Sequence, residues 1–143
     1  MTKLLFKTVF LLIIFLFPFY ILVAPSYAFS PSSQTIYEGI DVSAYQGDID
    51  FNLVKKAGID IVYIKSSEGS GFVDPYFEQN YQNAKNAGLK VGFYHYVTAL
   101  NVDEAISQAN FFAKTISGKQ PDCKLAMDFE YFGSLNNEEI NQI

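Results

Sequence analysis

The sequence predicts an α/β fold with parallel strands, of the β/α (TIM-like) barrel type. Short apolar runs rich in β-branched residues alternate with stretches whose apolar residues recur at helical spacing. The repeated strand–helix–strand order implies parallel strands joined by right-handed crossovers. Polar residues stand at the carboxyl ends of these strands, where barrels of this type carry their active sites.

The elements follow one another in a regular order. Strands are predicted over residues 39–43, 59–65, 89–97 and 124–130. Helices are predicted over residues 50–57, 75–87 and 103–116, with Asp50 capping the first and Asn101 or Asp103 capping the third. Residues 66–74 are predicted to form a loop. Residues 136–143 resemble the start of a further helix, with Asn137 as its cap.

The chain is shorter than a complete barrel of this type. Compact barrels of this type need about 200 residues, whereas this chain has 143. We therefore expect an irregular barrel truncated after about the first four or five strands, in a fragment or a truncated product. The predicted domains are a signal peptide (1–28), a linker (29–36) and a partial catalytic domain (37–143).

The first 28 residues fit a secretory signal peptide. Lys3 and Lys7 form a short basic region, residues 9–24 are almost wholly apolar, and small residues precede a cleavage site after Ala28. The alternative is an uncleaved membrane anchor, but about 20 apolar residues are needed to span a bilayer and Pro18 interrupts this run. We expect a secreted or wall-associated protein with no stable membrane insertion after cleavage.

Composition excludes several classes of function. The formal net charge is −5 and no basic stripe is visible, which disfavours binding to nucleic acid. Cys123 has no cysteine partner for a disulfide, and with the single histidine, His95, it cannot complete a usual zinc site. We expect no metal, no cofactor and a monomeric state, with Cys123 as a small buried residue.

Two acids in the last predicted strand carry the most chemical information. Side chains alternate across a strand, so Asp128 and Glu130 share one face while Leu125, Met127 and Phe129 point towards covering helices. Two carboxyls at this spacing are roughly 6–7 Å apart along the strand. Because both cannot ionise freely in a partly buried site, one pKa should rise. An acid beside a carboxylate suits glycosidic cleavage, although an isolated pair of this kind is more often a solvated strand end.

Other polar residues stand at the ends of the earlier strands. Asp41 ends the first strand, where the alternative is a turn-forming aspartate. Tyr94 and Tyr96 share a face of the third strand and could stack on sugar rings, although core packing explains most single tyrosines. His95 points the opposite way and is expected to be a core residue. Lys65 and Glu68 close the second strand.

Five collinear motifs between about residues 37 and 132 resemble glycoside hydrolase family 25, the Ch-type lysozymes or N-acetylmuramidases. The motifs are Gly39-Ile40-Asp41-Val42-Ser43 with Gln46-Gly47, Tyr63-Ile64-Lys65-Ser66-Ser67-Glu68-Gly69, Asp74-Pro75-Tyr76-Phe77, Ala87-Gly88-Leu89-Lys90-Val91-Gly92-Phe93-Tyr94-His95-Tyr96 and Met127-Asp128-Phe129-Glu130.

The resemblance implies an irregular β/α barrel that hydrolyses the β-1,4 bond between N-acetylmuramic acid and N-acetylglucosamine, with peptidoglycan glycan strands as its partner. It makes Glu130 the general acid, Asp128 the residue that orients the acetamido group or stabilises positive charge, and Asp41 a further carboxylate. The residues implied to line the sugar groove are Lys65, Glu68, Tyr94 and Tyr96.

The chain departs from the family pattern because the later barrel strands, with another acid and aromatic contacts, do not appear. An open barrel would expose strand edges to water. Two alternatives therefore stay open. One is a truncated, inactive wall-binding remnant, and the other is a different β/α-barrel glycosidase such as a chitinase-like enzyme.

Overall fold

The structure is a computed structural model that describes residues 35–143. The predicted signal peptide and most of the predicted linker lie outside the described residues. Residues 36–143 form one compact unit. Within that described part, no helix is both long and apolar enough to cross a membrane.

A parallel sheet forms the centre of this unit. The strands are β1 (Gly39–Val42), β2 (Ile61–Glu68), β3 (Phe72–Val73), β4 (Lys90–Tyr96) and β5 (Ala126–Asp128). The strand order is β1-β2-β4-β5, and each neighbouring pair is parallel. The remaining strand, β3, pairs antiparallel with the end of β2. The parallel order confirms the predicted α/β class.

Three helices connect the parallel strands: α1 (Phe51–Lys56), α2 (Phe77–Asn86) and α3 (Val102–Thr115). A short fourth helix, α4 (Asn137–Ile140), follows the last strand, and a 3-10 turn lies at Ala44–Gln46. The Asp50 carboxylate caps α1 by accepting from the backbone N–H groups of Asn52 and Leu53, as predicted. Asn101 caps α3 through the N–H of Glu104. The cap of α4 is Asn136 rather than the predicted Asn137, because Asn136 and Glu139 form a reciprocal capping box.

The hydrophobic core lies between the helices and one face of the sheet. Strand alternation places Val62 and Ile64 of β2, with Val91 and Phe93 of β4, on this face, where none of the four is exposed. The Phe93 ring meets the edge of Phe77 from α2, with ring centroids 5.2 Å apart. The opposite face of the same strands is therefore left to line a cleft.

A β-bulge in β2 is the main feature that the sequence did not predict. The predicted loop at residues 66–74 is instead an extension of β2 to Glu68, followed by a tight return through β3. The register between β2 and β4 shifts between Lys65 and Ser67. The extra residue reverses the alternation, so that Ser67 faces the core side and Glu68 shares the cleft side with Lys65.

The last strand also differs from its prediction. β5 ends at Asp128, so Glu130 lies two residues beyond it rather than inside it. Leu125 and Met127 are each 48% exposed, whereas the sequence predicted burial against covering helices. Within residues 35–143 β5 pairs only with β4, and this edge position explains the exposure. Cys123 is half-buried rather than fully buried.

His95 is a core residue, as predicted. Its ring is fully buried, stacks on Phe112 and lies 2.8 Å from the Ser67 hydroxyl through Nδ1. Burial lowers the His95 pKa, although the interaction with the Gln108 side chain and the charge of Glu68 act in the opposite direction. The buried ring therefore favours the neutral form.

We expect the free energy of unfolding to fall as the pH drops below about 6.5, the ordinary histidine pKa. The unfolded chain binds the proton more tightly than the folded chain, so acid favours unfolding by up to about 1.4 kcal/mol per pH unit. Urea unfolding between pH 5.5 and 7.5 measures this slope. The chain has one histidine, so His95→Gln should flatten it. A slope of the opposite sign would contradict the assignment.

Candidate active site

An open cleft of about 490 Å³ lies on the face of the sheet opposite the core. Alternate residues of all four parallel strands reach it, because strand side chains alternate between the two faces. The residues that line it are Gly39, Ile40, Asp41, Ile61, Tyr63, Tyr94, Ala126, Asp128 and Glu130. All three predicted catalytic carboxyls and one predicted sugar-binding tyrosine are therefore brought together.

The strand register explains why these groups meet. Asp41 of β1 is opposite Tyr63 of β2, and Asp128 of β5 is opposite Tyr96 of β4. The Asp128 carbonyl accepts a 2.7 Å hydrogen bond from the Val97 N–H, which keeps the end of β5 beside β4. Parallel strands point their carboxyl ends in one direction, so the acids collect at one end of the sheet.

The site raises the pKa of the Asp128 carboxyl. Burial is the largest cause of its raised pKa, followed by the charge of Glu130 and a hydrogen bond with the Glu130 carboxyl. Asp41 also raises this pKa, while Lys65 lowers it. One carboxyl of the pair therefore has a raised pKa, as the sequence predicted.

Tyr94 supplies a neutral hydroxyl beside these acids. Burial, followed by the negative charges of Asp41, Asp128 and Asp74, raises the Tyr94 pKa to about 12. A hydrogen bond with Ser43 acts in the opposite direction. The phenol consequently stays protonated over the whole physiological range and can donate a hydrogen bond to a carboxylate or to a sugar oxygen.

Lys65 and Glu68 form an ion pair at the edge of the site. The Lys65 ammonium lies 2.7 Å from Glu68 Oε2 and 5.1 Å from the centroid of the Tyr96 ring. Residues three apart on a regular strand would face opposite ways, so the bulge in β2 is what brings this pair together. Lys65, Glu68 and Tyr96 are not among the residues that line the cleft, but the Lys65 charge acts on the Asp128 pKa.

Tyr63 fills part of the cleft floor, a role that sequence analysis did not assign. Its hydroxyl donates a 2.9 Å hydrogen bond to the Lys124 carbonyl at the far side of β4. The ring crosses β4 over Gly92, where an added Cβ would lie 2.5 Å from Tyr63 Cε1. Tyr63 and Lys65 are two residues apart in β2, so their side chains lie on the same face of the strand. This spacing was the sequence signal that could have placed Tyr63 on the cleft face.

Ser43 and Asp74 are two further polar residues that sequence analysis quoted in motifs without assigning a role. Both are almost fully buried, and both act on the Tyr94 pKa. Asp74 precedes α2 in sequence and Ser43 follows β1, so only the folded chain brings them together. In the described part of the chain, no group of three or more His, Cys, Asp or Glu side chains could hold a metal ion.

Comparison with known proteins identifies the family of this chain. Its sequence matches Glycosyl hydrolases family 25 over residues 40–143. It is 48% identical over 93 residues to the autolytic lysozyme of Clostridium acetobutylicum, covering 65% of this chain and 28% of that protein. It is 40% identical over 92 residues to lysozyme M1 of Streptomyces globisporus, covering 64% and 31% respectively.

A solved structure shares the fold. The family 25 glycosyl hydrolase from Bacillus anthracis superposes with a TM-score of 0.65 at 28% identity, covering 78% of this chain and 57% of that one. This chain therefore spans less than two thirds of the length of these relatives, and its sheet corresponds to part of their barrel. Since the family match extends over most of the sequence, the chain belongs to glycoside hydrolase family 25.

Proposed function

We propose that this chain carries catalytic groups of a cell-wall muramidase that hydrolyses the β-1,4 bond between N-acetylmuramic acid and N-acetylglucosamine in peptidoglycan. The observation that carries the proposal is that the carboxyls of Asp128, Glu130 and Asp41 line one open cleft, where burial and the charge of Glu130 raise the Asp128 pKa. Family membership and the lysozyme relatives support the choice of substrate, and they favour a muramidase over a chitinase-like enzyme.

The geometry suits the roles that the family resemblance implies. Glu130 is exposed beyond β5 and can approach a glycosidic oxygen as the general acid. Asp128 is more buried and is flanked by Glu130 and Asp41, so it can orient an acetamido group or stabilise positive charge at the anomeric carbon. The Tyr94 hydroxyl lies among the same carboxyls and would bind sugar oxygens or hold Asp128 in place.

A second candidate is an inactive wall-binding remnant. It is favoured by the open sides of the sheet, since within residues 35–143 β1 pairs only with β2 and β5 only with β4. A cleft walled on fewer sides excludes less water and would hold a sugar less firmly. In this case the chain would bind glycan strands without cleaving them.

We also propose that the protein is secreted and meets its substrate outside the cell. The basic and apolar pattern of residues 1–28 supports secretion. The net charge of −5 gives no general attraction to an anionic wall, so binding would depend on specific contacts in the cleft. We propose glycan strands rather than nucleic acid as the partner, and a monomeric state.

The products of digestion test the proposed function. Purified peptidoglycan incubated with the chain should yield fragments with N-acetylmuramic acid at the reducing end, which borohydride reduction and mass spectrometry identify. Reducing-end N-acetylglucosamine would overturn the assigned bond. Binding to insoluble peptidoglycan without any new reducing ends would instead support the inactive remnant.

A further inference from the structure

Asp74 is a buried carboxylate that joins three separate segments of the chain. It lies between β3 and α2 and is 3% exposed. Its Oδ2 accepts a 2.9 Å hydrogen bond from the Ala44 N–H, and its Oδ1 accepts one of 2.9 Å from the Tyr76 N–H. Its own N–H donates to the Ser66 carbonyl at 3.0 Å. The turn after β1, the end of β2 and the start of α2 are thereby linked.

A charged group is a costly means of linking turns. Burying a carboxylate is unfavourable unless hydrogen bonds replace its water, and the two backbone N–H groups supply such bonds. Among residues 35–143, no lysine or arginine forms an ion pair with Asp74. The negative charge of Asp74 acts on the Tyr94 hydroxyl together with the charges of Asp41 and Asp128.

The turn that Asp74 holds is directly connected to the site. Ala44 follows Ser43, whose backbone N–H donates to Gln46 Oε1 at 2.8 Å in a capping box. Asp41 precedes Ala44 by three residues and lines the cleft. Any movement of Ala44 would therefore shift the end of β1, and with it the Asp41 carboxylate and the contact between Ser43 and Tyr94.

We propose that Asp74 is a positioning residue of this site, whose carboxylate holds the turn after β1 so that Asp41 and the Tyr94 hydroxyl face each other across the cleft. The link itself is a property of the fold. Its importance for catalysis rests on the function proposed above, so the two are tested by separate measurements.

Amide hydrogen exchange and tyrosine titration of the 143-residue chain test the link without any activity. In Asp74→Asn an amide NH₂ replaces one carboxylate oxygen and faces a backbone donor. We expect exchange at Ala44 or Tyr76 to become at least about tenfold faster. The titration midpoint of Tyr94, followed by ¹³C NMR of labelled tyrosine and assigned with Tyr94→Phe, should fall by about half a unit.

Asp50→Asn is the matched control, because it removes one carboxylate that also caps backbone N–H groups but lies at α1. It should leave the exchange at Ala44 and the Tyr94 midpoint unchanged. Hydrogen exchange of the wild-type chain also tests the link, even if the variants do not fold. If its Ala44 amide exchanges as fast as that of an exposed residue, or if a folded Asp74→Asn changes neither reading, the proposal is wrong.

A preparation that cleaves peptidoglycan adds the catalytic measurement. There Asp74→Asn should lower kcat about tenfold with little change in KM, because a misplaced Asp41 affects the reaction more than sugar binding. If Asp74→Asn accelerates hydrogen exchange at the Ala44 amide but leaves kcat unchanged, the positioning role is wrong. A wild-type preparation without cleavage would count against the proposed function, while exchange and titration would still decide whether Asp74 holds the turn.

Discussion

Glu130→Gln is expected to reduce peptidoglycan cleavage by about 10²- to 10⁴-fold, the usual contribution of a general acid. Glutamine keeps the size and hydrogen-bonding ability of the side chain but cannot give a proton to the leaving oxygen. The fold should be retained because Glu130 is exposed and lies beyond β5. Release of reducing ends measures the rate, and circular dichroism checks the fold.

The same variant has a consequence that does not depend on activity. The Glu130 charge is one cause of the raised Asp128 pKa, so its removal should move the Asp128 pKa back towards its ordinary range. Side-chain carboxyl NMR of the chain follows this titration. Glu138→Gln is the control, since Glu138 is exposed in the first turn of α4 and is not among the residues that line the cleft. Full turnover by Glu130→Gln would exclude Glu130 as the acid.

Gly92→Ala is expected to destabilise the fold by about 2–3 kcal/mol, as overpacking does where little space exists. The added methyl group would lie 2.5–2.7 Å from three atoms of the Tyr63 ring, all closer than real contacts allow. The ring would have to leave β4 and give up its hydrogen bond to the Lys124 carbonyl. Chemical denaturation gives the change in the free energy of unfolding.

Gly71→Ala provides the matched control for this substitution. An added Cβ at Gly71 meets no atom within 4 Å, and its backbone does not have the positive φ that favours glycine. Its effect should stay within about 0.5 kcal/mol. Adding Tyr63→Ala to Gly92→Ala removes the clash, so the two changes should be clearly non-additive. Strict additivity would show that the close approach of Gly92 and Tyr63 does not limit stability.

Local signals explain why much of the fold was predictable. The β-branched run around Val62 and Ile64 encodes a buried strand, and Asp50 is a cap that its own neighbours satisfy. Alternation also placed Tyr94 on the cleft side and His95 in the core, as the structure confirms. These features depend on residues a few positions apart, which is the range over which sequence patterns are informative.

The bulge and the edge strand show where local reasoning fails. Whether an extra residue is inserted between Lys65 and Ser67 depends on how β2 pairs with β4, about 28 positions further along the chain. Met127 has the apolar character of a buried residue, but its burial depends on what covers β5. Residues close in sequence determine neither which strand pairs with β2 nor which element covers β5.

The sequence by itself determined the α/β class, the family motifs and the identity of the acids Asp41, Asp128 and Glu130 as candidates. Only the tertiary structure decided that burial, together with the nearby charge of Glu130, raises the pKa of Asp128, and that Asp74 accepts a hydrogen bond from the turn that follows Asp41. The physical reason is that pKa values and hydrogen bonds depend on burial and on distances between groups far apart in the chain. Those distances exist only once the parallel strands have aligned.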